Sequence, residues 1–82
     1  MLIDADGIVT RWPKRVAERQ EVLQYLSEKF AQGKVYKETE VNEILRAFHS
    51  FSDWALLRRE LFESGKLDRN PRTGEYWKPD TR

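Results

Sequence analysis

The sequence predicts a single α+β domain of the winged helix-turn-helix class, with three helices, a C-terminal β-hairpin as the wing and a short N-terminal arm. The first observation is that two short helical patterns are joined by about four residues. The second is that a strand–turn–strand pattern follows the later helix at once, as a wing does. A longer helical pattern precedes both, and its apolar stripe can cover the other two helices. With 82 residues, the chain has the length of one domain.

The N-terminal arm and helix 1 are predicted from turn and helix signals. Residues 1–12 contain Asp6–Gly7, a typical tight-turn pair between two short apolar stretches, and are expected to form a hairpin or an extended arm. Pro13 suits the first position of a helix, where its missing N–H needs no partner. Helix 1 is predicted over residues 13–31, and one stripe of it is apolar: Val16, Leu23, Leu26 and Phe30.

Helices 2 and 3 follow from the same periodicity. Helix 2 is predicted over residues 38–48, after a β-prone pair at Val35–Tyr36. Helix 3 is predicted over residues 52–64, with Ser50 or Ser52 as its N-cap. The apolar stripe of helix 2 consists of Val41, Ile44, Leu45 and Phe48, and that of helix 3 of Trp54, Leu57 and Leu61.

The wing is predicted over residues 66–78, as two short strands joined by a turn at Pro71–Gly74. Tyr76 and Trp77 are neighbours on the returning strand, so one faces the core and the other faces away. An outward Trp77 beside cations would suit nucleotide stacking or a protein contact. The alternative is that it packs under the N-terminal arm.

The composition argues against catalysis and bound metal. The chain has no cysteine and one histidine, so neither a zinc site nor a Cys–His nucleophile can be assembled, and no cofactor is expected. The run from Leu2 to Val9 looks like the nucleophile loop of haloacid-dehalogenase-type phosphatases. However, the apolar run before Asp4 is too short for a buried strand, and 82 residues leave no room for the parallel sheet of those enzymes. We therefore expect no enzymatic activity, and we expect His49 to shape or cap the turn between helices 2 and 3.

Hydropathy and charge limit the partners. No run approaches the roughly 20 apolar residues of a membrane span, and no basic-then-apolar signal begins the chain, so a cytoplasmic protein without membrane contact is expected. The sequence has 15 basic and 14 acidic residues, a net charge of +1, and a pI of about 8.0. Dedicated nucleic-acid modules usually have a pI above about 9. Any basic surface that contacts nucleic acid must therefore be confined to one part of the protein.

Six basic residues are the candidate nucleic-acid contacts. In winged-helix geometry helix 3 enters the major groove, and the wing touches the minor groove or nearby phosphates. The apolar stripe of helix 3 places Arg59 farther from the core than Arg58, and either arginine could instead be tied to Asp53, Glu63 or the wing. The candidates are Arg58 and Arg59 on helix 3, and Lys66, Arg69, Arg72 and Lys78 on the wing, with Lys14, Arg15 and Arg82 as possible neighbours.

The charge of helix 3 favours the wing as the contact surface. Residues 52–64 hold two arginines against three carboxylates: Asp53, Glu60 and Glu63. Carboxylates repel the phosphates that a groove-reading helix approaches. Helix 3 is therefore a poor reader unless these acids are paired or face away, and Arg72 at the tip of the wing is better placed.

Several separated motifs of this sequence resemble one bacterial family, the domain of unknown function 2087. The resemblance covers nearly the whole chain. Its motifs are Asp6-Gly7, Trp12-Pro13-Lys14, Val22-Leu23, Leu26, Phe30, Tyr36, Glu40-Val41-Asn42, Ile44-Leu45, Leu57-Arg58-Arg59-Glu60-Leu61, Gly65, Leu67, Arg69 and Gly74-Glu75-Tyr76-Trp77. The family occurs alone and attached to winged-helix transcriptional regulators, so the resemblance implies a role in transcription.

One residue departs from the family pattern. Lys37 stands where the family usually has Thr or Ser before helix 2. A capping box with Glu40 is then not expected, and Thr39 is expected to cap the helix one turn later.

Two functions follow from the sequence. The first is a transcription regulator that binds DNA through the six basic residues, with phosphate contacts supplying most of the affinity. A chain this short is expected to bind a useful site as a homodimer. The alternative is a protein-interaction module that docks on a regulatory complex without touching DNA, which the near-neutral charge and the acidic helix 3 favour.

Overall fold

A computed structural model describes residues 2–79 as an α+β structure. The elements in chain order are α1 (Val16–Ser27), β1 (Val35–Lys37), α2 (Glu38–Ala47), α3 (Trp54–Glu63), β2 (Asp68–Asn70) and β3 (Glu75–Trp77). The three strands form one antiparallel sheet in the order β1–β3–β2. This confirms the predicted fold class, because three helices with a small antiparallel sheet and a C-terminal hairpin are compatible with a winged helix-turn-helix arrangement. We call β2, β3 and their turn the wing.

The N-terminal arm forms a small antiparallel turn, as the Asp6–Gly7 pair predicts. Ile3 and Val9 pair across it. The Asp4 carboxylate accepts hydrogen bonds from the Asp6 and Ile8 amides at 2.9 and 3.0 Å. The arm is also tied to the rest of the molecule, since the Val9 amide donates to the Phe48 carbonyl at 2.8 Å.

Gly7 is the residue of this turn that tolerates least change. Its φ is +80°, and a Cβ added there would lie 2.8 Å from the Tyr25 hydroxyl oxygen, which donates to the Gly7 carbonyl at 2.6 Å. We expect Gly7→Ala to lower the free energy of unfolding by about 2 to 3 kcal/mol, from left-handed strain and displacement of the tyrosine hydrogen bond. Gly33→Ala is the matched control, because Gly33 has the same φ and nothing within 4 Å. Equal losses in chemical denaturation of the two variants would contradict the tyrosine contribution.

Helix α1 is shorter than the predicted residues 13–31. Pro13 is buried before the helix, and its carbonyl accepts from the Arg19 side chain at 2.7 Å. Val16 was predicted to lie on the inner stripe, but it is 67% exposed. The physical reason is that the buried residues of α1 all lie in its C-terminal half. The first turn therefore lies beyond the part of the helix that packs against the core. Phe30 is buried as expected, beyond the end of the helix.

The N-terminal caps of the two later helices differ from the prediction. The Glu40 carboxylate accepts from the Lys37 amide at 2.8 Å, which is one of the two hydrogen bonds of a capping box. The other bond does not form, because the lysine side chain has no acceptor for a backbone amide of the helix. Helix α2 therefore starts at residue 38, and the expected cap at Thr39 was wrong. The cap of α3 is Asp53, whose carboxylate accepts from the Leu56 amide at 3.2 Å. Ser52 has a φ of +53°, which differs from the extended backbone of an N-cap.

The core lies between the helices and the inner face of the sheet. Tyr36 and Tyr76 are opposite each other on that face, and the Tyr36 ring packs edge-on against Phe30 at 5.2 Å. Tyr76 is thus the inward member of the Tyr76–Trp77 pair, and Trp77 lies beside Val35 on the outer face. The buried apolar residues are Val9, Val22, Leu23, Leu26, Phe30, Tyr36, Val41, Leu45, Leu57, Leu61, Leu67 and Tyr76.

Among residues 2–79, no helix is long and apolar enough to cross a bilayer.

Candidate nucleic-acid interface

A groove of about 630 Å³ runs between α3 and the wing. Leu56, Phe62 and Tyr76 supply apolar side chains to its surface. The groove also contains the charged side chains of Arg58, Arg59, Arg69, Asp53 and Glu63. Three of the six candidate residues therefore meet here, together with two of the three carboxylates that the sequence places on helix 3.

Arg58 joins α3 to α2. Its guanidinium donates to the Asn42 side-chain oxygen and lies 3.3 Å from the Glu38 carboxylate, with 21% of the side chain exposed. The sequence suggested Asp53, Glu63 or the wing as partners, and this was wrong because both partners lie on α2. Arg58 consequently has a structural role that fixes how α3 sits against α2.

Arg59 points outward from α3, as the apolar stripe predicts. Its side chain is 65% exposed and lies 3.9 Å from the carboxylates of both Glu60 and Glu63. Exposed ion pairs of this length contribute about 0 to 1 kcal/mol. The charge of Arg59 is nevertheless partly offset before any ligand arrives.

Arg69 lies on β2 opposite Tyr76. Its guanidinium carbon is 4.7 Å from the centre of the Phe62 ring, so the cation rests on an aromatic face of α3. Within residues 2–79, no carboxylate lies within ion-pair distance of Arg69. The contact orients the guanidinium without neutralising it.

Arg72 lies in the turn of the wing, which is ordered by its own side chains. The Asn70 side-chain oxygen accepts from the Arg72 amide at 2.9 Å, and the Asn70 carbonyl accepts from the Gly74 amide at 2.8 Å. Thr73 and Glu75 share a further hydrogen bond at 3.0 Å. Arg72 is exposed, so the turn presents a cation to solvent on a fixed backbone.

The other basic candidates lie outside the groove. Lys66 donates to the Gln24 side-chain oxygen on α1 at 2.8 Å and lines a separate depression along that helix. Lys78 follows β3, where its carbonyl accepts from Gln32 at 3.1 Å. Lys14 and Arg15 are exposed ahead of α1 and do not line the groove. Arg82 lies outside the described residues.

Two contacts join the end of α2 to the start of α3 around the turn between them. The Arg46 guanidinium lies 3.9 Å from the centre of the Trp54 ring, a contact that the sequence reasoning missed. The sequence signal for this contact is the helix-turn-helix itself, which brings the last turn of one helix against the first turn of the next. His49, expected to cap or shape this turn, contacts the Leu45 carbonyl and the Asp53 amide through its two ring nitrogens, at 2.5 and 3.0 Å.

The fold and the groove indicate the structural class of the protein, and the sequence match gives its family. Three helices, a three-stranded antiparallel sheet and a groove with three arginines between α3 and a hairpin are compatible with the winged-helix class. Residues 8–78 match the family described as "Uncharacterized protein conserved in bacteria (DUF2087)", and the chain belongs to that family. This confirms the resemblance found in the sequence. No curated protein and no solved structure matches the chain.

Proposed function

We propose that this chain is a non-catalytic, cytoplasmic regulatory protein of transcription that binds duplex DNA through the groove between α3 and the wing. The observation that carries the proposal is that Arg59 and Arg69 meet in that groove, beside the structural Arg58. Arg72 extends the basic surface to the tip of the wing. Guanidinium groups suit this role because they bond phosphate oxygens and guanine edges in a planar, bidentate manner.

Phosphate contacts would supply most of the affinity. If Arg59, Arg69 and Arg72 each neutralise one phosphate, binding should weaken by about 40-fold between 50 and 200 mM salt. A titration of a labelled random-sequence duplex, followed by fluorescence anisotropy at both salt concentrations, measures this. Absence of binding at about 50 mM salt would overturn the proposal, since even non-specific readers bind there.

Matched variants distinguish binding by the basic surface of the groove and wing from binding by the net charge of the protein. R59A/R69A/R72A removes three cations from the groove and the wing. K14A/R15A/K66A removes three cations that do not line the groove. We expect at least about a 30-fold loss for the first variant and less than about a 3-fold loss for the second at low salt. Equal losses would mean that net charge alone drives association.

A protein partner is the second candidate, and the carboxylates of the same surface favour it. Asp53 and Glu63 line the groove, and Glu60 and Glu63 flank Arg59. Mixed charges around an apolar floor are typical of a protein contact more than of a DNA contact. The titration also decides between the candidates, because a docking module would leave the duplex unbound at low salt.

A further inference from the structure

The arginines of this surface differ in whether carboxylates of the protein already pair with them. Arg58 is held by a carboxylate and an amide oxygen of α2. Arg59 has two carboxylates within ion-pair distance. In contrast, neither Arg69 nor Arg72 has a carboxylate within that distance among residues 2–79. The unpaired arginines therefore belong to the wing, and the paired ones belong to α3.

The outward face of α3 offers few groups that could read bases. Ala55, Arg59 and Glu63 are exposed at successive turns of one face. The alanine has no hydrogen-bonding side chain, and the glutamate repels the phosphates on either side of a groove. Arg59 is thus the single basic reader on that face, and it must leave two carboxylates before it can bond a guanine.

The wing presents its cations in an organised form. Phe62 supports the Arg69 guanidinium at 4.7 Å, and the turn that bears Arg72 is closed by the Asn70 side chain and carbonyl. Ordered groups lose less conformational entropy when a ligand binds. Both arginines can therefore bond phosphates without first leaving a carboxylate, whereas Arg59 on α3 first has to leave Glu60 and Glu63.

We propose that the wing, through Arg69 and Arg72, holds the sugar–phosphate backbone of duplex DNA, and that the protein binds duplexes irrespective of base sequence. In this arrangement α3 supports Arg69 through Phe62 and does not read the major groove. The inference rests on the proposed function, and it specifies the ligand as the duplex backbone. It also assigns most of the affinity to two residues of the wing.

The test uses two unrelated duplexes of equal length and equal base composition, titrated at about 50, 100 and 200 mM salt. We expect the two dissociation constants to agree within about two-fold. R69A and R72A should each weaken binding by about three- to ten-fold on both duplexes, and each should lower the salt slope by about 0.9. R59A should weaken binding less than either wing variant, because two carboxylates already offset its charge, and K66A, which removes a cation outside the groove, should change the affinity by less than about two-fold.

The outcomes distinguish a failure of this inference from a failure of the proposed DNA binding on which it rests. A difference of more than about tenfold between the duplexes, or a larger loss for R59A than for either wing variant, would overturn the inference and leave DNA binding intact. No binding of either duplex at about 50 mM salt would overturn both. Circular dichroism of each variant shows that it is folded, so that a lost affinity reports a lost contact.

Discussion

Replacing His49 by alanine is expected to lower the free energy of unfolding by about 3 kcal/mol, because this side chain closes the turn between α2 and α3. His49 is 7% exposed. Its ring packs edge-on against Phe51 at 4.7 Å, and its backbone pairs with Val9 of the N-terminal arm. The residue therefore joins three segments at the start of the helix that supports the groove.

The hydrogen bonds of His49 require one neutral tautomer. The Asp53 amide is a donor, so the Nε2 atom that it contacts at 3.0 Å must be unprotonated. The proton then lies on Nδ1, which donates to the Leu45 carbonyl at 2.5 Å. Truncation leaves the Asp53 amide without a partner among residues 2–79, whereas the Leu45 carbonyl keeps its bond from the Phe48 amide at 3.1 Å. A partly buried amide without a partner costs about 1 to 3 kcal/mol, and loss of the ring removes further packing.

Three conservative variants divide the effect of His49. His49→Gln can place an amide oxygen near Nε2 and accept from Asp53, while His49→Asn can place an amide N–H near Nδ1 and donate to Leu45. We expect the glutamine variant to be more stable than the asparagine variant, since it satisfies the otherwise unpaired amide. His49→Phe keeps the ring and loses both bonds, and Ser50→Ala, at an exposed neighbouring position, is the control. Chemical denaturation measures all four, and a His49→Phe variant as stable as the parent would show that the hydrogen bonds contribute nothing.

The local signals of the sequence were sufficient for the fold class and for the direction of single side chains. Apolar periodicity is a property of each helix alone, and it placed Leu57 and Leu61 inward and Arg59 outward. Strand alternation likewise required one of Tyr76 and Trp77 to face the core. These inferences needed no knowledge of neighbouring elements, which explains their success.

The partners of long side chains depend on how elements cross, and the sequence does not express this. Arg58 reaches α2 because the two helices pack together, although acids of its own helix were nearer in sequence. Lys66 turns toward α1 just after Gly65, which has a φ of +80°. Val16 matched the helical stripe but is 67% exposed, because the buried residues of α1 lie in its C-terminal half. Each of these features depends on how elements that are distant in sequence pack together.

The adjacent leucines of α3 should respond very differently to truncation, and Leu57→Ala should remove a large part of the stability of the fold. Leu57 is fully buried in the core, on the side of α3 that packs against α1 and α2. Truncation of a buried leucine costs about 2.7 to 5 kcal/mol. A chain of 82 residues has a total stability of about 4 to 12 kcal/mol, so one substitution removes a large part of it.

Leu56→Ala is the matched control, because it removes the same atoms from a half-buried residue that lines the groove. We expect it to cost less than about 1 kcal/mol, since little transfer free energy is lost at an open surface. The two variants thus separate what α3 does for the core from what it does for the groove. If Leu56→Ala leaves stability intact and leaves duplex affinity unchanged, the apolar floor contributes nothing to binding and the arginines act through charge and hydrogen bonds. Equal destabilisation by both variants in chemical denaturation would contradict the orientation of α3, on which the assignment of Arg59 and Phe62 to the groove depends.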